Sequence, residues 1–271
     1  MAGEANYPAG WDAASKDAGV FDLDTYWRIA LGEIPGYSAV SKFGEIKVVG
    51  TADPPVDVWA AGGLYTGQPS PFAGTEELIE IVSDDAADDA LVGIGAWSMV
   101  VIGLDENFDQ QEETVTLNGL TAVTTLGTYT RVFRAYIVTT GTGDNNIGTI
   151  SMTGATSGLL FGTIVPLYDQ TQIACYSIPR GKKGILTGLG FQMGRSGGTP
   201  GSASVTLRVC SALGGVFRSR RTYEITNSLA APLLAAPLLL EEYADIRARV
   251  DSVSDNGTNV SAQFDIVLID L

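Results

Sequence analysis

The dipeptide Asn118-Gly119 stands between two runs of strand-forming residues, Thr114-Val115-Thr116-Leu117 and Ala122-Val123-Thr124-Thr125. Asn-Gly accepts positive φ at little cost, so this spacing predicts a tight hairpin. It is one member of a series. Glu77 to Val82, Trp97 to Ile102, Tyr129 to Val138 and Ile147 to Met152 also read as strands, separated by polar turns. The longest, Tyr129 to Val138, is largely apolar on both faces, which predicts a strand covered on two sides. A chain with this block at its centre is built from sheets.

The remainder of the sequence agrees. Gly occurs 33 times and charged residues make up only 17%. With so many β-branched runs, this composition points to short strands and tight turns. After residue 153, strands are expected at Gln172 to Ile178, Ile185 to Met193, Ser202 to Cys210, Val216 to Ile225, Tyr243 to Val253 and Val260 to Leu268. Turns recur about every 8–12 residues, as in a β-sandwich or jelly roll. The expected fold class is therefore all-β, with an N-terminal arm and strap over residues 1–75. A β domain over 76–153 follows, then a jelly-roll-like β-sandwich over 154–271.

Within the arm, Tyr7, Trp11, Phe21, Tyr26 and Trp27 form an aromatic set without strand periodicity, and Phe21 to Leu31 fits a short helix ended by Gly32. Such a segment needs a surface to bury against. That surface is the protein's own sheet or a neighbouring subunit. The strap carries Trp59 and Tyr65 as anchors, and these two are expected at an interface together with Trp11, Phe21, Tyr26 and Trp27. Leu229 to Leu240, broken by Pro232 and Pro237, reads as an apolar loop that folds over its own core or makes an oligomer contact through Leu233, Leu234 and Leu238.

Charge is unevenly spread. Residues 1–150 hold 22 acidic and 6 basic side chains, whereas residues 151–271 hold 9 and 10. The acidic front half repels nucleic acid and anionic membranes. Arg180, Lys182 and Lys183, and then Arg218, Arg220 and Arg221, are either solvated strand ends or docking points for an acidic surface such as the front half of another copy. No aromatic residues interleave them as base-stacking platforms. Met1 to Asn6 lacks the basic flank and apolar core of a signal peptide, so cytoplasmic synthesis is expected.

Few residues carry catalytic chemistry. There is no His, which excludes mechanisms that need an imidazole. The two cysteines, Cys175 and Cys210, read as buried thiols and give no zinc spacing. Asp84, Asp85, Asp88 and Asp89 form the one carboxylate cluster. Its expected state is a solvated, self-repelling loop. Weak calcium binding is the alternative, although the alternating ligand spacing of a calcium loop is missing. No cofactor, catalytic residue or firm metal ligand is expected.

Several phrases together resemble a family of virion structural proteins from tailed bacteriophages. They are Ala30-Leu31-Gly32-Glu33-Ile34-Pro35-Gly36, Lys42-Phe43-Gly44, Asp57-Val58-Trp59, Gly62-Gly63-Leu64-Tyr65, Ile79-Glu80-Ile81-Val82-Ser83, Gly93-Ile94-Gly95-Ala96 and Gly103-Leu104-Asp105. Glu113-Thr114-Val115-Thr116-Leu117-Asn118-Gly119, Arg131-Val132-Phe133-Arg134-Ala135 and Asn146-Ile147-Gly148-Thr149-Ile150 complete the set. The resemblance implies a non-enzymatic component of the virion: a capsid decoration or cement protein on the head surface, or else a tail, collar or fibre protein that binds a host receptor. Surface β-sandwiches of this type commonly trimerise about an axis, so self-association as a homotrimer is expected, with the major capsid protein or other virion proteins as partners; the charge balance speaks against nucleic acid or membrane.

Overall fold

The computed structural model describes residues 23–68, 76–195, 197–198, 201–211, 215–226, 229–230 and 237–271. Helix α1 (Leu23–Ala30) comes first and ends at Gly32, whose φ of 74° suits a helix C-terminus. The strands follow as β1 (Tyr37–Val49), β2 (Val56–Asp57), β3 (Glu77–Ser83), β4 (Ala96–Leu104), β5 (Gln110–Thr116), β6 (Val123–Tyr129), β7 (Arg131–Thr140), β8 (Ile150–Gly154) and β9 (Leu160–Ile164). The second half supplies β10 (Cys175–Ser177), β11 (Lys182–Arg195), β12 (Ser202–Cys210), β13 (Arg218–Thr226), β14 (Leu229–Ala230), β15 (Leu238–Leu240), β16 (Asp245–Val253) and β17 (Thr258–Asp270). The protein is all-β, and its described strand pairs are antiparallel.

The strands build two sandwiches. In the smaller, the sheet β6-β3-β8-β9 faces the sheet β5-β4-β7. Alternation on β3 sends Ile79 and Ile81 inward, where they meet Met99, Val101, Val132, Ile150, Met152 and Phe161. Each such apolar side chain contributes about 1.5–3 kcal/mol on full burial. In the larger, the sheet β1-β17-β11-β14, with β15 also on β11, faces the sheet β10-β16-β12-β13, with β2 on β16. Val260, Ala262, Phe264, Ile266 and Leu268 alternate inward from β17 against Val205, Leu207 and Val209 of β12 and Ile246, Ala248 and Val250 of β16.

Three expectations are corrected by the pairing. The Asn118-Gly119 turn does not close a hairpin: β5 pairs with β4 and β6 with β3, so the turn carries the chain from one sheet to the other. Gly119, at φ 55°, donates its N–H to the Asp88 carbonyl and accepts from the Ser83 amide, so the turn is held by the acidic loop and by the end of β3. The run Tyr129 to Val138 is not one strand. It breaks at Thr130, because Tyr129 pairs with Glu77 while Arg131 pairs with Leu104 in the opposite sheet. The expected segment boundaries shift too. Two parts of the expected strap become sheet, β1 running along β17 and β2 along β16, and β9 completes the smaller sandwich by pairing with β8.

Close backbone approach explains one glycine at the crossing. A Cβ on Gly103 would lie 2.0 Å from the Arg131 carbonyl oxygen and 2.7 Å from the Tyr129 ring. Neither neighbour can retreat, since both sit in paired strands. Gly103→Ala is expected to destabilise the chain by about 1–3 kcal/mol, read as a lower chemical-denaturation midpoint.

Candidate interaction surfaces and the buried charge network

The strap is fixed by charge. Asp57, fully buried, accepts from Arg249 Nε at 3.0 Å through Oδ1, and its Oδ2 lies 3.1 Å from Arg247 Nη1 and 2.8 Å from the Tyr65 amide. The two arginines share one face of β16 because strand side chains repeat every second residue. Asp57 and the strap cover that face. A second buried pair crosses between the sandwiches: Arg131 of β7 meets Asp245 of β16 through Nε at 3.2 Å and Nη2 at 3.1 Å, and Ser177 also donates to Asp245. Both side chains are 1% exposed.

Trp59 and Tyr65 were expected at an interface. Both are 3% exposed and pack edge-to-face at 5.0 Å, against Ile173 and Cys175. The Tyr65 hydroxyl donates towards the Val132 and Phe161 carbonyl oxygens, which ties the strap to the smaller sandwich. The reason for the correction is the Asp57 clamp, which draws the strap onto the chain's own sheets. Leu238 is partly buried against the larger core, on β15. Tyr26 packs with Ile29 and Ile34 of the helical segment against Val267 and Ile269 of β17, while Trp27 and Leu31 point outward at 61% and 73% exposure. The described part of the arm thus covers its own sheet with one face of α1 and leaves Trp27, and Leu31 just after the helix, facing outward. Trp11, Phe21, Leu233 and Leu234 lie outside the described residues.

The acidic loop is not a solvated, self-repelling segment. Asp88 is fully buried and receives four hydrogen bonds: Oδ1 from the amides of Ala96 (2.8 Å) and Ile147 (2.9 Å), Oδ2 from the Gly148 amide (2.9 Å) and the Ser83 hydroxyl (2.7 Å). Asp84 accepts from Thr149, Asp85 from Ala87, and Asp89 from Leu91 and Val92. Backbone amides satisfy these carboxylates, so Asp84, Asp85, Asp88 and Asp89 are structural acceptors. Among the described residues no cluster of three or more acidic or thiol groups is arranged around a common metal position. Sequence spacing showed the cluster but could not show its donors, three of which, Ile147, Gly148 and Thr149, come from a loop some sixty positions later.

What this framework presents is an apolar knob. Leu91 and Val92 are 89% and 85% exposed, with Ile94 and Leu120 also outward. The knob is held firmly: Gly93 donates to Asp89, Gly95 to Ala87, and the Trp97 indole to the Gly93 carbonyl at 2.8 Å. Elsewhere, the basic turn is neutralised within the chain, Arg180 by Asp109, Lys182 by Asp270 and Lys183 by Glu241. Arg218, Arg220 and Arg221 remain exposed on β13. Cys175 and Cys210 are buried and form no disulfide, on β10 and β12 with β16 between them.

Among the described residues Lys42 is the one lysine buried between the sandwiches, with its ammonium bonded to the Phe133 carbonyl oxygen and 5.9 Å from the Phe133 ring centre. Burial pulls its pKa down to about 7, with Arg134 adding to the effect and the Cys175 thiol opposing it. Between pH 7 and the ordinary lysine value the unfolded chain holds one proton more than the folded chain. Stability therefore rises with pH across that window, by up to about 1.4 kcal/mol per pH unit, and is flat below it. Denaturant titrations should show this slope, and Lys42→Met should remove it.

No protein-family model matches the chain, and no curated protein matches its sequence. Among solved structures, the VP2 subviral particle of infectious bursal disease virus aligns over 92% of this chain and 78% of that chain at 11% identity, with a TM-score of 0.22. The structure of the infectious bursal disease virus Gt strain aligns over 87% and 73%, at 11% identity and a TM-score of 0.19. Values at this level mark a loose likeness between β-rich chains, and the functional reading rests on the surfaces described above.

Proposed function

We propose that this chain is a structural, non-enzymatic component of a virus particle: a decoration or cement subunit on the head surface of a tailed bacteriophage, three copies grouped about an axis. The observation that carries the reading is the Leu91–Val92–Ile94 knob. It is apolar, exposed and braced by a buried carboxylate, a combination that suits permanent burial in a neighbour. The outward Trp27–Leu31 pair at the end of α1 supports it as a second contact. Both sites stabilise an assembly by removing apolar area from water. The virion resemblance of the sequence agrees with this role.

The test is reconstitution. Purified heads lacking the chain are mixed with it, and bound protein is measured by co-sedimentation, with heat resistance of the heads as a second readout. Binding with added heat resistance is expected, and Leu91→Ser with Val92→Ser should weaken it about thirtyfold or more. Heads that never take up the wild-type chain would sink the proposal. Binding of the isolated protein to host cells would favour the tail or fibre role, which rests on exposed aromatics. In the larger sandwich the described residues Tyr223, Tyr243 and Phe217 pack on its core, which does not favour sugar stacking.

A further inference from the structure

Where the two sandwiches meet, a cavity of about 180 Å³ is lined by Ser41 and Lys42 of β1, Gln110 of β5, Phe133 and Arg134 of β7, and Tyr176 of β10. Its polar lining is rich in hydrogen-bond donors. Lys42 brings a buried ammonium, Arg134 a guanidinium, Gln110 an amide and Ser41 a hydroxyl. The Tyr176 hydroxyl is buried without a hydrogen-bond partner among the described residues. No carboxylate lines the cavity, and none among the described residues lies within ion-pair distance of Lys42. The other buried cations of this protein are treated differently: Arg131 faces Asp245, and Arg249 faces Asp57.

We propose that this cavity is a binding site for a small oxyanion, a phosphate or carboxylate group, held between Lys42 and Arg134 with the Tyr176 hydroxyl as a further donor. The physical reason is charge balance. A buried ammonium without a counter-charge carries a desolvation cost that an anion at contact distance offsets. The lowered pKa of Lys42 reports that uncompensated state, and an anion would restore the charged form. The ligand would touch β1, β5, β7 and β10 together, so its binding would also brace the joint between the sandwiches. This inference is independent of the virion role and would hold for a chain with a different partner.

The experiment is thermal unfolding of the full chain just below pH 7, with inorganic phosphate, acetate and chloride compared at equal ionic strength. Phosphate or acetate is expected to raise the midpoint saturably beyond chloride, because a ligand bound only to the folded state stabilises it by mass action. The stronger of the two identifies the chemistry as phosphate or carboxylate. Arg134→Gln, a rim substitution, should weaken the apparent affinity about tenfold, as for loss of one charge-assisted contact, and Lys42→Met should abolish the effect. Three results overturn the proposal: no shift beyond chloride in the wild type, a shift that never saturates, or an affinity that Arg134→Gln leaves unchanged. The last keeps the test decisive even if Lys42→Met folds poorly.

Discussion

Asp57→Ala should lower the unfolding free energy by about 3–5 kcal/mol, the cost of leaving a buried charge without its partner. Here two guanidinium groups lose their counter-charge at once, those of Arg247 and Arg249, and the Tyr65 amide loses an acceptor. In a chain of this size the melting temperature should fall on the order of 10 °C. The loss has a specific location. Hydrogen exchange should rise first in residues 56–66, because Asp57 is what holds the strap against β16. The double substitution Asp57→Ala with Arg249→Met should recover part of the loss, since apolar replacement of buried charge is often close to neutral. Equal destabilisation by Asp57→Ala and by an exposed control such as Glu106→Ala would contradict the clamp.

The second large effect is expected at Asp88. Asp88→Ala strands three backbone amides and one hydroxyl in a buried site, each worth about 1–3 kcal/mol when left unsatisfied. Relaxation and water entry will recover some of this, so a net loss of about 4 kcal/mol is the expectation. The functional readout differs from that of Asp57. The knob at Leu91 to Ile94 should lose amide protection, and head binding should weaken with it, while the larger sandwich keeps its exchange pattern. Asp88→Asn should be intermediate, because its carbonyl oxygen still accepts but its amide group meets donors. A variant that leaves the knob protected would show that the loop does not depend on this carboxylate.

Much of the strand pattern could be read from the chain itself. Alternation placed Ile79 and Ile81, or Val205, Leu207 and Val209, on one face whatever the partner was, because the two-residue period of a strand is local geometry. The short helix before Gly32 was legible for the same kind of reason, since α1 spans Leu23–Ala30 within the expected segment. The acidic cluster was visible, and so were the aromatic residues of the strap, but their roles were not.

The amino-acid order alone thus determined the all-β class, the shared face of alternating residues such as Val205, Leu207 and Val209, and the absence of imidazole chemistry. Tertiary structure alone decided which strands pair, so that Asn118-Gly119 switches sheets and Thr130 turns a corner. It also decided that Asp57 and Asp88 are buried acceptors, that Trp59 and Tyr65 face inward, and that Lys42 meets no counter-charge among the described residues. The physical reason is range. Periodicity and turn preference act over a few residues, whereas burial of a charge and its compensation depend on groups brought from as far as Asp57 is from Arg249.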